Sequence, residues 1–298
     1  MMENVILMGH AGKRTVDDAS NFLKRIYLVE REMMRTLGGY LISVRNWTMK
    51  KEIPFHIWRD SIRADGLRTR ILEMRYPRRD VDQNHDEKLL AFLSLPIRSV
   101  IDAELLLSVY TVAKRAVYEA YLDYLKDADP LDDAPSVVLI RGFLPELEQQ
   151  LKDAEGWFER LPEGERQTSA AWGHSLARHL GIIGGVRGAE PTDEPVPSTD
   201  RAEYAPPVKP ARDHHFGDAV YHMPKQFFQT DYERKFIERQ VWQGINHVNE
   251  IWASEITGLV LWSWKDMPWE FYLDCARWCF DESRHCKMGE ERLSAWGF

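Results

Sequence analysis

The chain has 298 residues, enough for one large domain or two, and its 44% apolar content is ample for a core. A formal net charge of −8 excludes a general nucleic-acid binder, because no surplus of Lys and Arg is available to neutralise phosphates. No apolar run approaches the roughly 18 residues of a membrane span, and Met1-Met2-Glu3-Asn4 lacks the basic, then apolar, start of a signal peptide.

Residues 4–15, Asn-Val-Ile-Leu-Met-Gly-His-Ala-Gly-Lys-Arg-Thr, superficially suggest a phosphate loop. The spacing between the first Gly and Gly-Lys is too short and Arg14 follows the Lys, so an N-terminal arm is expected instead. From Val16 the pattern turns helical, with Thr15 or Asp17 as cap and Phe22, Ile26, Val29, Met33, Leu37 and Leu41 at helical spacing to about Arg45. Lys50, Lys51 and Pro54 mark a polar break. A second helix is expected over 54–75, carrying Trp58, Ile62, Leu67 and Ile71. After a charged connection at 76–88, a third helix runs over 97–125 and a fourth over 137–161. No period-2 strand appears, so the class is all-α, with an antiparallel four-helix bundle over residues 1–161.

Residues 162–226 are rich in Pro and Gly and read as a linker, with a short helix over 169–180 and an extended stretch over 190–212. His214, His215 and His222 near its end read as solvated. Residues 227–298 form a helical hairpin: one helix to Trp264 with a seam of Trp242, Ile245, Asn249, Trp252, Ile256, Leu259 and Trp262, a turn at Lys265-Asp-Met-Pro268, and a closing helix.

That closing helix carries the chemistry. Helical spacing puts Phe271, Cys275, Trp278, Cys279, Glu282, His285, Cys286, Gly289 and Leu293 on one face. A carboxylate and an imidazole three residues apart on an apolar face are expensive unless they bind something. Glu-x-x-His is also the unit one helix contributes to a di-iron or di-manganese carboxylate site. A partner carboxylate is expected at the same height on the preceding helix. The turn centres near Asp266, so that height is 247–250, which makes Glu250 the favoured ligand. Glu255 competes because it lies closer to the tryptophan seam, and His247 is a weaker candidate. Cys275, Cys279 and Cys286 share one helix and make poor disulfide partners, so they read as reduced, buried small hydrophobes in a cytoplasmic protein. A mixed thiolate site for zinc is the alternative.

The N-terminal bundle shows the same pattern in degraded form. Aligning Asp60 with Glu282 puts Arg63 where His285 stands, and Arg cannot ligate a metal. The fourth helix has Glu146-Leu-Glu-Gln149. Glu30, Glu32, Asp60, Arg63, Glu104 and Glu146 are therefore expected to form an internal salt-bridged remnant.

The hairpin, from Asn246-His-Val-Asn-Glu250 through Asp266-Met-Pro-Trp-Glu-Phe-Tyr272 to Asp281-Glu-Ser-Arg-His285, resembles a ferritin-like family similar to rubrerythrin and other di-iron carboxylate proteins. Residues 58–71 and 133–140 also look ferritin-like. The resemblance implies metal ligands at Glu250, Glu282 and His285, with iron as the metal and manganese or zinc as alternatives. It implies a di-iron oxidase or oxygenase component acting on O2 or peroxide. One Glu and one Glu-x-x-His are half of such a site. Completion is expected from a second copy in a homodimer, from a partner chain, or from a C-terminal segment not in this sequence. The rival readings are a non-catalytic helical scaffold or assembly subunit of ferritin-like ancestry, and an iron oxidation or storage protein.

Overall fold

The computed structural model describes residues 14–214 and 236–297. Helices dominate, and no strand occurs among the described residues. Helix α1 spans Val16–Tyr40 and opens on a reciprocal cap: Asp18 N donates to Thr15 Oγ1 at 3.1 Å, while Thr15 N donates to Asp18 Oδ2 at 3.1 Å. Helix α2, Trp47–Glu73, begins seven residues before the expected start, capped by Asn46, whose Oδ1 accepts from Met49 N at 3.0 Å. The polar break expected at Lys50, Lys51 and Pro54 is therefore helix. Pro54 sits inside it, and the two lysines are drawn onto acids of the C-terminal helices: Lys50 onto Glu255 and Lys51 onto Glu290.

Helix α3 is short, Glu87–Leu93. Helix α4 begins as α-helix at Asp102–Leu105, winds as a π-helix over Leu106–Lys114, and returns to α-helix over Arg115–Asp127. Helix α5 spans Ala134–Arg160. The expected short helix in the linker is longer, α6 at Glu163–Ile182, because Glu163 and Glu165 load its first turn with favourable negative charge. It packs against the π segment, with Gly173 facing Leu107.

Residues 189–213 are extended, as expected, and fastened to the helices. Arg201 makes two 2.7 Å contacts to Glu104, Tyr204 donates to Gly39 O at 2.9 Å, and Ala211 N donates to Ile42 O at 2.9 Å. The C-terminal part is α7 (Phe236–Asn249), α8 (Ile251–Ser263) and α9 (Trp269–Ala295).

Helix α1 packs on both α2 and α8, α2 also packs on α9, and α8 packs on α9, so these four helices close a ring. Helices α4 and α5 pack on the other side of α1 and α2. The C-terminal hairpin, expected to stand as half of a separate bundle, thus lies against α1 and α2 of its own chain. The α1–α8 approach is close: a Cβ on Gly258 would come within 2.6 Å of Gly38 O. Such an approach needs small residues, so α8 turns Ser254, Thr257 and Gly258 inward rather than the expected tryptophan seam, and Ile256 is left 60% exposed.

Candidate metal centre

The site forms where α7 breaks into α8. Glu250 is the joint, with φ −67° and ψ −7°, and its amide donates to His247 O at 3.1 Å. Opposite it, α9 is held in register by two features. Ser254 Oγ donates to Cys279 O at 2.7 Å, and Gly289 lies so close to α7 that an added Cβ would meet Gly244 O at 2.5 Å. With α7 and α8 seated this way, Glu250 faces Glu282 and His285, which lie one turn apart on α9.

His285 Nδ1 is 2.9 Å from Glu250 Oε2 and 3.4 Å from Glu282 Oε2. One donor atom from each of the three residues lies within 4.8 Å of the other two. Glu250 Oε2 is closed to solvent, and His285 Nδ1 is the polar atom beside it. Glu282 is oriented by Trp278, whose Nε1 donates to Glu282 Oε1 at 2.6 Å. Two carboxylates and one imidazole form a donor set that suits iron, manganese or zinc in the divalent state.

The position differs from expectation. The buried seam of α9 is Tyr272, Cys275, Ala276, Cys279, Ser283, Cys286 and Gly289. Glu282 and His285 lie at its rim, with side chains 17% and 43% exposed, and Trp278 is 56% exposed rather than part of the seam. The triad therefore opens outward from the four-helix ring, not into it. A single helix face read from periodicity is wide, and only the position of α7 shows where it stops being buried.

Of the other candidates, Glu255 is fully buried and spent on Lys50 and Arg212, which removes it as a ligand. The His247 ring stacks 6.1 Å from that of His285, outside the triad, and its Nδ1 is inaccessible and without a hydrogen bond. Burial pushes the thiols up, Cys275 to about 11 and Cys279 and Cys286 to about 12, which suits buried reduced side chains, and among the described residues none of the three belongs to a donor group that could hold a metal. His214 is exposed, and His215 and His222 lie outside the described residues.

The salt-bridged cluster expected in the N-terminal helices is present, in altered membership. Arg63 contacts Glu30 at 2.8 Å, Asp60 at 2.5 Å and Glu146 at 3.2 Å. Glu32 is instead paired with Arg31 and Arg35, and Glu104 with Arg201. Four members were missed from sequence: Lys114, 2.6 Å from Asp60, Gln150, 2.8 Å from Lys114, Tyr121, 3.1 Å from Glu30, and Arg59, paired with Glu146. A lysine within the Leu- and Tyr-rich run of α4 was the available signal.

A cavity of about 580 Å³ lies apart from the triad, between α1, the extended segment and the turn after α8. Its Arg31 and Arg35 are engaged by Glu32, and Arg35 also by the carbonyls of Leu261 and Trp262, which leaves them little to offer a ligand. No helix among the described residues is long and apolar enough to cross a membrane. No protein-family model, curated protein or solved structure matches this chain.

Proposed function

We propose that this chain is a ferritin-like helical protein that binds a divalent transition metal, iron foremost, at Glu250, Glu282 and His285. The observation that carries the reading is the convergence of three donors from the α7–α8 joint and from α9 within 4.8 Å. The N-terminal helices add support, because α1, α2, α4 and α5 each send a polar side chain to one buried cluster, the layout of a carboxylate-bridged bundle site. Bound iron would supply redox chemistry with O2 or peroxide. This chain's own part is to hold the carboxylates, fix Glu282 through Trp278, and leave the outward side of the ion open. The remaining positions are taken from outside, by a second copy or a partner chain, and the assembled protein acts as an oxidase or oxygenase component.

Metal analysis after anaerobic loading with Fe2+ tests this. About one ion per chain is expected, lost in Glu282→Ala and in His285→Ala. Fewer than about 0.3 ion per chain in the unaltered protein overturns the reading.

A second reading, a non-catalytic scaffold of ferritin-like ancestry, is favoured by the basic side chains that fill the N-terminal cluster. It expects the same two substitutions to alter stability without removing any metal or oxidation activity. Iron storage would in addition require a cage, which solution mass would reveal.

A further inference from the structure

The charged cluster in the N-terminal half is arranged like a metal centre whose ions are side chains. The Asp60 carboxylate bridges two cations, with Oδ1 2.5 Å from Arg63 Nη2 and Oδ2 2.6 Å from Lys114 Nζ. Arg63 also takes both oxygens of Glu30, at 2.8 and 3.0 Å, and one of Glu146 at 3.2 Å. Lys114 donates to Gln150 Oε1 at 2.8 Å, and Tyr121 donates to Glu30 Oε1 at 3.1 Å. Arg59 closes the set from the surface by pairing with Glu146. Glu30, Asp60 and Glu146 face Arg59, Arg63 and Lys114, so the cluster is neutral by formal charge. Glu30, Asp60, Arg63 and Lys114 are each 1% exposed or less at the side chain.

Stability alone does not account for such a core, since apolar residues of the same volume commonly serve as well or better. The layout does have a chemical counterpart. A dinuclear carboxylate site in a four-helix bundle takes one carboxylate from each of two helices and a carboxylate-x-x-His from each of the other two. Here α1 gives Glu30, α2 gives Asp60 with Arg63 three residues on, α4 gives Lys114, and α5 gives Glu146 with Gln149 three residues on and Gln150 turned inward. The π-helical winding of α4 ends at Lys114 itself, and such segments commonly mark functional positions.

We propose that this core is a divalent-metal cage in which the Arg63 guanidinium and the Lys114 ammonium occupy the two cation seats. The N-terminal bundle is therefore metal-independent, and it becomes a metal site once those two side chains are exchanged for ligands. The inference concerns different residues from the hairpin triad and stands whether or not that triad binds metal.

The test uses the full chain carrying Glu282→Ala and His285→Ala, so that the hairpin is silent, with Co2+ as the probe. In this parent, Arg63→His leaves Lys114 in place and is expected to take about one Co2+ per chain, with the visible absorption of a carboxylate- and imidazole-bound ion. Adding Lys114→Glu is expected to raise this to about two. The parent and an Arg63→Met/Lys114→Met control are expected to take none. Where the charge-altered chain folds only with Co2+ present, followed by circular dichroism, that dependence counts as binding. Stoichiometric Co2+ uptake by either ligand variant above both controls supports the cage; uptake by neither, folded or not, overturns it.

Discussion

Lys50 on α2 and Glu255 on α8 form an ion pair sealed inside the four-helix ring, with Nζ 2.5 Å from Oε1 and side-chain exposures of 0% and 2%. Arg212, arriving at the end of the extended segment, binds the same carboxylate, with Nη2 2.8 Å from Oε2. Lys50 Nζ also reaches Ala211 O at 2.7 Å. One carboxylate therefore ties together α2, α8 and the segment that crosses between the two halves of the chain.

Removing that carboxylate takes the paired anion from the buried Lys50 ammonium. Glu255→Ala is expected to destabilise the fold by about 3–5 kcal/mol, the usual cost of leaving a buried charge without its partner. Urea unfolding checks it. Metal uptake at the triad should persist in whatever fraction remains folded, since Glu255 is no ligand. Loss of metal from folded Glu255→Ala would mean that the register of α8 against α9 depends on this pair.

The same lysine makes stability depend on pH. Burial lowers Lys50 to about 8 from its ordinary 10.5, against the opposing pull of Glu255. Below about pH 8 it is charged in both folded and unfolded chains, and the folded state carries the full burial cost. Between about 8 and 10.5 the unfolded chain holds the proton more tightly, so unfolding takes protons up and stability rises with pH. This one group is expected to add up to about 1.4 kcal/mol per pH unit across that window. The difference in urea midpoint between the unaltered protein and Lys50→Met, followed from pH 7.5 to 10, isolates it. A difference that does not change with pH contradicts the assignment.

What was legible beforehand follows from what periodicity encodes. Apolar spacing of 3.6 residues marked nearly every long helix, and counting outward from the turn at Asp266 found Glu250 opposite Glu282 and His285. Spacing shows which residues share a face but not which neighbour covers it. Lys50 looked like a break because a lysine's charge normally sits in water, and only Glu255, 205 residues away in sequence, explains its burial. Trp278 looked like core because indole is apolar, yet it lies where α9 leaves its neighbours and hydrogen-bonds Glu282. The tryptophan seam on α8 misled for the converse reason: the backbone contact between Gly38 and Gly258 admits only small residues.

The glycine contact between α7 and α9 should control the triad. A Cβ at Gly289 would fall 2.5 Å from Gly244 O, 2.7 Å from Val248 N and 2.8 Å from His247 Cβ. Backbone atoms cannot swing away, so α7 must move off α9 and carry Glu250 with it. Gly289→Ala is expected to cost about 1–3 kcal/mol through overpacking. It should also weaken metal binding at least about tenfold, as loss of ligand positioning does elsewhere. Calorimetric titration with Mn2+ reads the second effect. Affinity unchanged within about twofold would show that Glu250 is not needed as a ligand.

Trp278 separates positioning from packing. Its indole is half in solvent, so Trp278→Phe should change stability by no more than about 0.5 kcal/mol. What it removes is the 2.6 Å N–H donor that holds Glu282 Oε1, which leaves Oε2 aimed at His285. Outer hydrogen bonds of this kind typically contribute about 10- to 100-fold in metal affinity. Trp278→Phe should therefore bind Mn2+ at least tenfold more weakly with the fold intact, and the metal-dependent quenching of tryptophan emission by Co2+ should fall with it. Equal affinity in the two proteins would reduce the Trp278–Glu282 contact to an ordinary surface hydrogen bond and leave Glu282 to be placed by the helix alone.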